Sequence, residues 1–295
     1  MTVFQTPEPI SVSLEFGIGH LRLVAGESTE TVVEVGPTDS TKAGDVNAAK
    51  QTRVEYASGS LIVRGPKDWR QWAPWGPSGG RVSIDVEIQL PVGSRVSADV
   101  ALASVRGTGR LGDLEIKTGM GDVRVDQAGS VKIRTGFGEV VLGEVEGDAD
   151  VKTGSGRIDI GSIEGSATVK NSSGETRIGE VEGRAQLQNA NGTIQVDRAR
   201  SHVTAKTALG DVRLGLLSRG ATEAKTACGQ IDIGVVHGVA AWLDLSTGFG
   251  RVHNELEDSG HPSVDAQTIE VRAHTGAGDI NIYRVPARAE MGTRP

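Results

Sequence analysis

Four of the six histidines fall late in the chain: His237, His253, His261 and His274, among the carboxylates Asp244, Glu255, Glu257, Asp258 and Asp265. Imidazole beside carboxylate is the raw material of acid–base catalysis and of metal ligation. Both chemistries need their groups at fixed short range, and the stretch holds no HExxH and no tight ligand pair. Gly107-Thr108-Gly109-Arg110-Leu111-Gly112 matches GxGxxG, but the phosphate-cradling form needs a strand before it and a helix after it. Here Asp113-Leu114-Glu115-Ile116 follows and alternates like a strand. Nucleophile elbow, P-loop and zinc spacings are missing, and the single cysteine, Cys228, rules out an internal disulfide framework. No catalytic residue, metal or cofactor is expected.

Binding chemistry has better raw material. Lys117, Arg134, Lys152, Lys170, Lys206 and Lys225 recur at one position of a repeat, a column completed by Gln188, Ser246 and His274. Such a column is either a linear track for an anionic polymer or a solvated face balanced by Glu115, Asp150 and Glu223. The net charge of −7 disfavours nucleic acid and anionic membranes. Trp69, Trp72 and Trp75 form either an aromatic platform for a sugar or partner, or a cover over an open end. Phe137 and Phe249 share one repeat position and are expected to pack locally. A calcium-binding repeat would need an aspartate in every turn. The matching column here runs Asp122, Glu139, Arg157, Glu175, Thr193, Asp211, Gln230, Arg251, Asp279, which is too mixed for that.

These columns exist because a four-residue corner returns: TGMG at 118–121, TGFG at 135–138, TGSG at 153–156, NSSG at 171–174, NANG at 189–192, TALG at 207–210, TACG at 226–229, TGFG at 247–250 and TGAG at 275–278. Its closing residues, Gly121, Gly138, Gly156, Gly174, Gly192, Gly210, Gly229, Gly250 and Gly278, are 17, 18, 18, 18, 18, 19, 21 and 28 apart. A fixed period of this kind marks a repeat architecture. Alternating apolar residues follow each corner, as in Arg157-Ile158-Asp159-Ile160, and precede it, as in Ala167-Thr168-Val169-Lys170, so each period holds two short half-buried strands. One such coil buries about four aliphatic side chains at roughly 1.5–3 kcal/mol each. Ordering its backbone costs on the order of 1–2 kcal/mol per residue, so a coil stands only in a stack. The recurring glycine predicts positive φ or close approach of the neighbouring coil. The opening Thr or Asn predicts a ladder bonded to turn backbone or to itself.

The chain of 295 residues has 41 glycines and only 3% aromatic content, which suits tight turns around a small aliphatic core. Residues 1–96 read as a β-rich segment or cap, 97–284 as the repeat, with a degenerate first coil near 97–111, and 285–295 as a polar tail. Arg81 to Pro91 is the cleanest alternating strand. The start, MTVFQTPEPISVSLEF, has neither a basic nor an apolar leader region, and no run of 18 apolar residues occurs. No membrane insertion is expected. A cytoplasmic location is, with the cell surface reached only by an unusual export route.

The opening TPEPISVSLEFGIGHLRLVA, the strand ending LPVGSRV and the T-G-x-G-[DE]-[IV] corners together resemble a bacterial family of adhesin candidates with β-strand repeats, a domain of unknown function. The resemblance implies a β-solenoid and brings no catalytic residues with it. The expectation is therefore an all-β protein: a parallel β-solenoid of nine to ten coils with two short strands in each. Its function is that of a non-enzymatic scaffold that binds a partner protein or self-assembles. A carbohydrate- or anionic-polymer-binding module is the alternative, and a polysaccharide-acting enzyme on a solenoid stands behind both.

Overall fold

The computed structural model describes residues 1–66, 82–256 and 268–286, in two units, Met1–Gly154 and Ser155–Pro295. Each is a parallel β-solenoid, and the described residues are all-β apart from one short helix.

The first unit runs β1 (Thr2–Gln5), β2 (Ser11–Gly26), β3 (Glu30–Pro37), α1 (Ala43–Gln51), β4 (Arg53–Ala57), β5 (Ser60–Arg64), β6 (Ser83–Pro91), β7 (Arg95–Arg110), β8 (Leu114–Met120), β9 (Val123–Ala128), β10 (Val131–Phe137), β11 (Val140–Val145) and β12 (Ala149–Ser155). β8 and β9 make one coil, with Leu114, Ile116, Val123 and Val125 buried between them. β10 stacks on β8 and β11 on β9, in parallel and in register, Ile133 over Ile116 and Leu142 over Val125. The long strand β7 is a whole coil without a break: its first half pairs with β8 and its second with β9.

The next coil along is not the preceding stretch of chain. β2 lies along all of β7, and β5 and β6 pair with the opposite edge of β2. The first strand of a coil in the sequence is thus threaded between residues 60–91 and residues 95–110. Two coils, β2 and the β5–β6 pair, extend the stack beyond the repeat that is legible from residue 97. Their outer edge is closed by antiparallel strands, β4 on β5, β3 on β6 and β1 on β3. Antiparallel cover ends a parallel stack and removes an edge open to stray pairing. Helix α1 lies against β3 and β6, and its buried Asp45 accepts a 3.0 Å hydrogen bond from the Ser83 N–H.

The second unit runs β13 (Ile158–Ile163), β14 (Ala167–Ser173), β15 (Thr176–Val181), β16 (Ala185–Asn191), β17 (Ile194–Ala199), β18 (Val203–Leu209), β19 (Val212–Leu217), β20 (Gly220–Cys228), β21 (Ile231–Val236), β22 (Ala240–Phe249), β23 (Val252–Asn254), β24 (Thr268–Ala277) and β25 (Ile280–Val285). Even-numbered strands stack from β14 to β20 and odd-numbered ones from β13 to β21. The inward column Val169, Leu187, Ala205, Ala224, Ala273 is buried throughout, so coils of different bulk share one wall.

Here too the order in space departs from the order in sequence. β24 and β25 pair with β20 and β21 on one side and with β22 and β23 on the other. The last coil in the chain is therefore the second to last in the stack, which explains the 28-residue step between Gly250 and Gly278. Among the described residues, no strand pairs with the outer edge of β22 or β23, and no helix is long and apolar enough to cross a membrane.

Candidate interaction surfaces

All nine closing glycines have positive φ, from 131° at Gly174 to 154° at Gly250. A Cβ on Gly174 would sit 2.1 Å from the Gly156 carbonyl oxygen, and one on Gly278 2.0 Å from that of Gly229. The corner backbone of one coil thus rests on that of its neighbour, and only glycine fits. The Thr/Asn ladder ties the same corners together. Asn171 Nδ2 donates to Gly156 O, Asn189 Nδ2 to Gly174 O, Thr226 Oγ1 to Gly210 O and Thr275 Oγ1 to Gly229 O, each at 2.9 Å. In the first unit Thr118 and Thr135 turn instead to the carbonyls of Met120 and Phe137, two residues on, while the buried Thr153 hydroxyl has no hydrogen-bond partner among the described residues. These residues build the coil and offer nothing to a ligand.

The third corner residue points the other way. Phe137 is 58% exposed and Phe249 82%, with Met120 and Leu209 beside the same corners also exposed. The expectation of local packing for the two phenylalanines is thereby corrected. Threonine faces the core two residues earlier, and strict alternation would turn this position inward too; the corner before the positive-φ glycine breaks that alternation and sends it to solvent. In the second unit Leu209, Cys228, Ala277 and Phe249 occupy successive register positions, making an apolar strip that ends at the outer coil.

The basic column lies on the outward face of the strands before the corner. Lys117 stands beside Arg134, and Lys206 beside Lys225 and then His274. Glu115 takes Lys117 and Lys132 at 3.3 and 3.1 Å. Lys152 meets Asp150 at 3.1 Å, and Glu223 holds both Lys206 and Lys225. Hydrogen bonds from Lys132 and then Lys117 pull the Glu115 carboxyl below the ordinary glutamate range, and those from Lys225 and then Lys206 do the same to Glu223. Arg134 and Lys170 make no ion pair among the described residues.

Trp69, Trp72 and Trp75 lie outside the described residues, as do His261, Glu257, Asp258 and Asp265. The remaining late histidines are spread out: His274 follows β20's Lys225 in register, His253 pairs with Asn281 on β25 and His237 follows β21. Among the described residues no group of three or more His, Cys, Asp or Glu could hold a metal ion. The GxGxxG stretch spans the end of β7, where the Gly109 backbone packs against the Ala25 carbonyl rather than opening a helix.

The outer coil of the second unit escaped the sequence reading. On β22 the inward residues Leu243 and Leu245 are only half-buried, and on β23 Val252 is 42% exposed. Trp242 points outward, 58% exposed, with the Arg272 guanidinium 6.0 Å from its ring centroid. A core column that ends in half-open leucines beside an unpaired strand edge is a surface shaped for one more strand.

A family model described as Toastrack DUF4097 matches residues 25–283. The chain belongs to that family. The match takes in LPVGSRV and every T-G-x-G corner but begins at Ala25, so the opening TPEPISVSLEFGIGHLRLVA lies almost wholly before it. Comparison with curated proteins finds no match. Two solved structures are similar to this Toastrack chain over most of their length. One is a candidate cell adhesion protein from Clostridium sporogenes, 16% identical, TM-score 0.25, over 96% of this chain and 98% of that one. The other is a candidate adhesin from Bacteroides fragilis, 13% identical, TM-score 0.37, over 96% of this chain and 95% of that one.

Proposed function

We propose that this Toastrack protein is a non-enzymatic scaffold that works by surface contact, and that the outer edge of β22 and β23 docks a second copy of the chain. The observation that carries the reading is the unfinished coil: an edge unpaired among the described residues, whose inward Leu243, Leu245 and Val252 remain partly open. Strand addition would bury them and satisfy the free backbone groups. The coil keeps the TGFG corner of an internal repeat, so it is matched in shape by another coil of the same period. In a second copy the equivalent β22–β23 edge is such a coil, whereas the terminal coil of the first unit is covered by antiparallel strands. Asp244 precedes the corner and Arg251 follows it, so an antiparallel copy sets opposite charges toward each other.

The test is light-scattering mass over a concentration series for wild type and Val252→Lys. Wild type is expected to rise from 30.8 kDa toward twice that mass. The variant, with an inward charge at the edge, is expected to stay at the lower value at every concentration. A wild type that stays monomeric throughout would overturn self-docking and direct the search to a different partner protein.

A further inference from the structure

We propose that the first unit carries an acidic-saccharide site on the outer face of β2, β7 and β9, centred on Arg106. Arg22, Arg106 and Arg124 occupy successive register positions across these three strands. Two residues earlier on the same strands, and so on the same face, His20, Ser104 and Asp122 make a parallel column: His20 pairs with Ser104, and the Ser104–Val105 step meets Asp122–Val123. The two columns line a groove of about 370 Å³.

Three arginines on strands about 4.8 Å apart carry like charges that repel one another, and a row of like charges destabilises the pairing it sits on. The outer two are relieved: Arg124 bonds Glu139 at 2.8 Å, and Arg22 lies 3.9 Å from Glu87. Arg106, between them, makes no ion pair among the described residues. The Lys117 column differs, because carboxylates stand within its cationic rows. The Arg106 fork is therefore free to take a planar anion in two hydrogen bonds, flanked by two more positive charges.

The neighbouring column decides which anion. Asp122 presents a carboxylate, although one oxygen is engaged by the Glu139 N–H at 2.9 Å, and His20 is held by Asp85 at 2.9 Å. A densely charged phosphate chain would be repelled by both carboxylates. A uronic-acid oligosaccharide needs both columns: its carboxylate goes to Arg106, and its ring hydroxyls donate to Asp122 and exchange hydrogen bonds with Ser104 and His20. This site is separate from the β22–β23 edge, and its fate does not depend on self-docking.

The experiment is calorimetric titration of the full chain with tri-galacturonate, run beside the neutral trisaccharide maltotriose and inorganic tripolyphosphate. Arg106→Gln and Asp122→Asn are the variants, and Lys170→Gln is a distant control. All three positions are exposed, so unchanged thermal melting is the check on folding. Expected is binding of the galacturonate alone, weakened tenfold or more by Arg106→Gln and severalfold by Asp122→Asn, and untouched by Lys170→Gln. Absence of binding to wild type, or equal loss with Lys170→Gln, would overturn the site. Binding of tripolyphosphate as tightly as galacturonate, with no effect of Asp122→Asn, would overturn the saccharide assignment and leave a plain anion groove.

Discussion

Asn171 holds two coils in one hand: its Nδ2 donates to the Gly156 carbonyl at 2.9 Å, while its Oδ1 accepts from the Ser173 N–H at 3.1 Å. The residue itself is 5% exposed, so its amide makes both bonds out of contact with water. Asn171→Ala is expected to cost about 1–3 kcal/mol in chemical denaturation, the net worth of the two hydrogen bonds lost. Asn171→Thr should cost less than half as much, because Thr226 and Thr275 make the same bond to the neighbouring glycine carbonyl with a hydroxyl. Equal losses for the two variants would mean that the ladder acts through volume and not through this bond.

The corner glycines allow a sharper comparison. Gly192 has φ of +132° and its added Cβ would lie 2.1 Å from Gly174 O, whereas Gly238 has φ of +86° with nothing within 4 Å. Both alanine variants meet backbone strain, but only the first collides with an unyielding neighbour. Gly238→Ala should cost about 1–2 kcal/mol. Gly192→Ala should cost at least about 3 kcal/mol, since the collision adds to strain. Matching urea midpoints for the pair would show that close coil contact contributes little.

The period, the two strands per coil and the corner conformation were all legible because each is local: glycine at one place in about 18 residues, with apolar alternation on either side. The stacking order was not. Coils with the same period and inward pattern are interchangeable partners, so nothing in the spacing says that β24 slips between β20 and β22, or β2 between β6 and β7. A trace of the second event was present. Phe16-Gly17-Ile18-Gly19 is one more corner, with Gly19 at φ +149° against Ile84 and Phe16 buried in the column that Thr118 occupies in the coil beyond β7. The Arg22, Arg106 and Arg124 row was hidden for the same reason: its members lie 84 and 18 residues apart in sequence and meet only through a re-entrant strand.

The cover over the first unit makes its own prediction. Asp45, 2% exposed on α1, accepts from Ser83 N–H at the start of β6 and so fixes the helix to the outermost coil. Asp45→Ala is expected to lose about 1–3 kcal/mol by leaving that N–H unpaired. Asp45→Asn keeps an acceptor and should recover most of the loss. Hydrogen exchange offers the local readout: protection should fall at Ser83 and through α1 in the alanine variant, with β14 to β19 unchanged. Uniform loss across the chain would show that the helix is not separately anchored.

Acid should loosen the lysine–glutamate columns, and the direction follows from the carboxyls. Glu115 is held below its ordinary pKa by Lys132 and Lys117, and Glu223 by Lys225 and Lys206. The folded state therefore binds fewer protons than the unfolded chain wherever these groups titrate. Their contribution is complete above the unfolded value of about 4.3 and is lost as pH falls through the lowered folded values. Both carboxylates are about one-third exposed, and solvent screening keeps each contribution to roughly 0.2–1 kcal/mol. Urea midpoints taken from pH 6 down to 3 should decline for wild type more steeply below about 4.3 than for the Glu115→Gln, Glu223→Gln double variant. Added salt should narrow the gap, because the pairs sit at the surface. A double variant whose decline matched wild type throughout would place the acid sensitivity in other carboxylates, among them the Glu146 held low by Arg110.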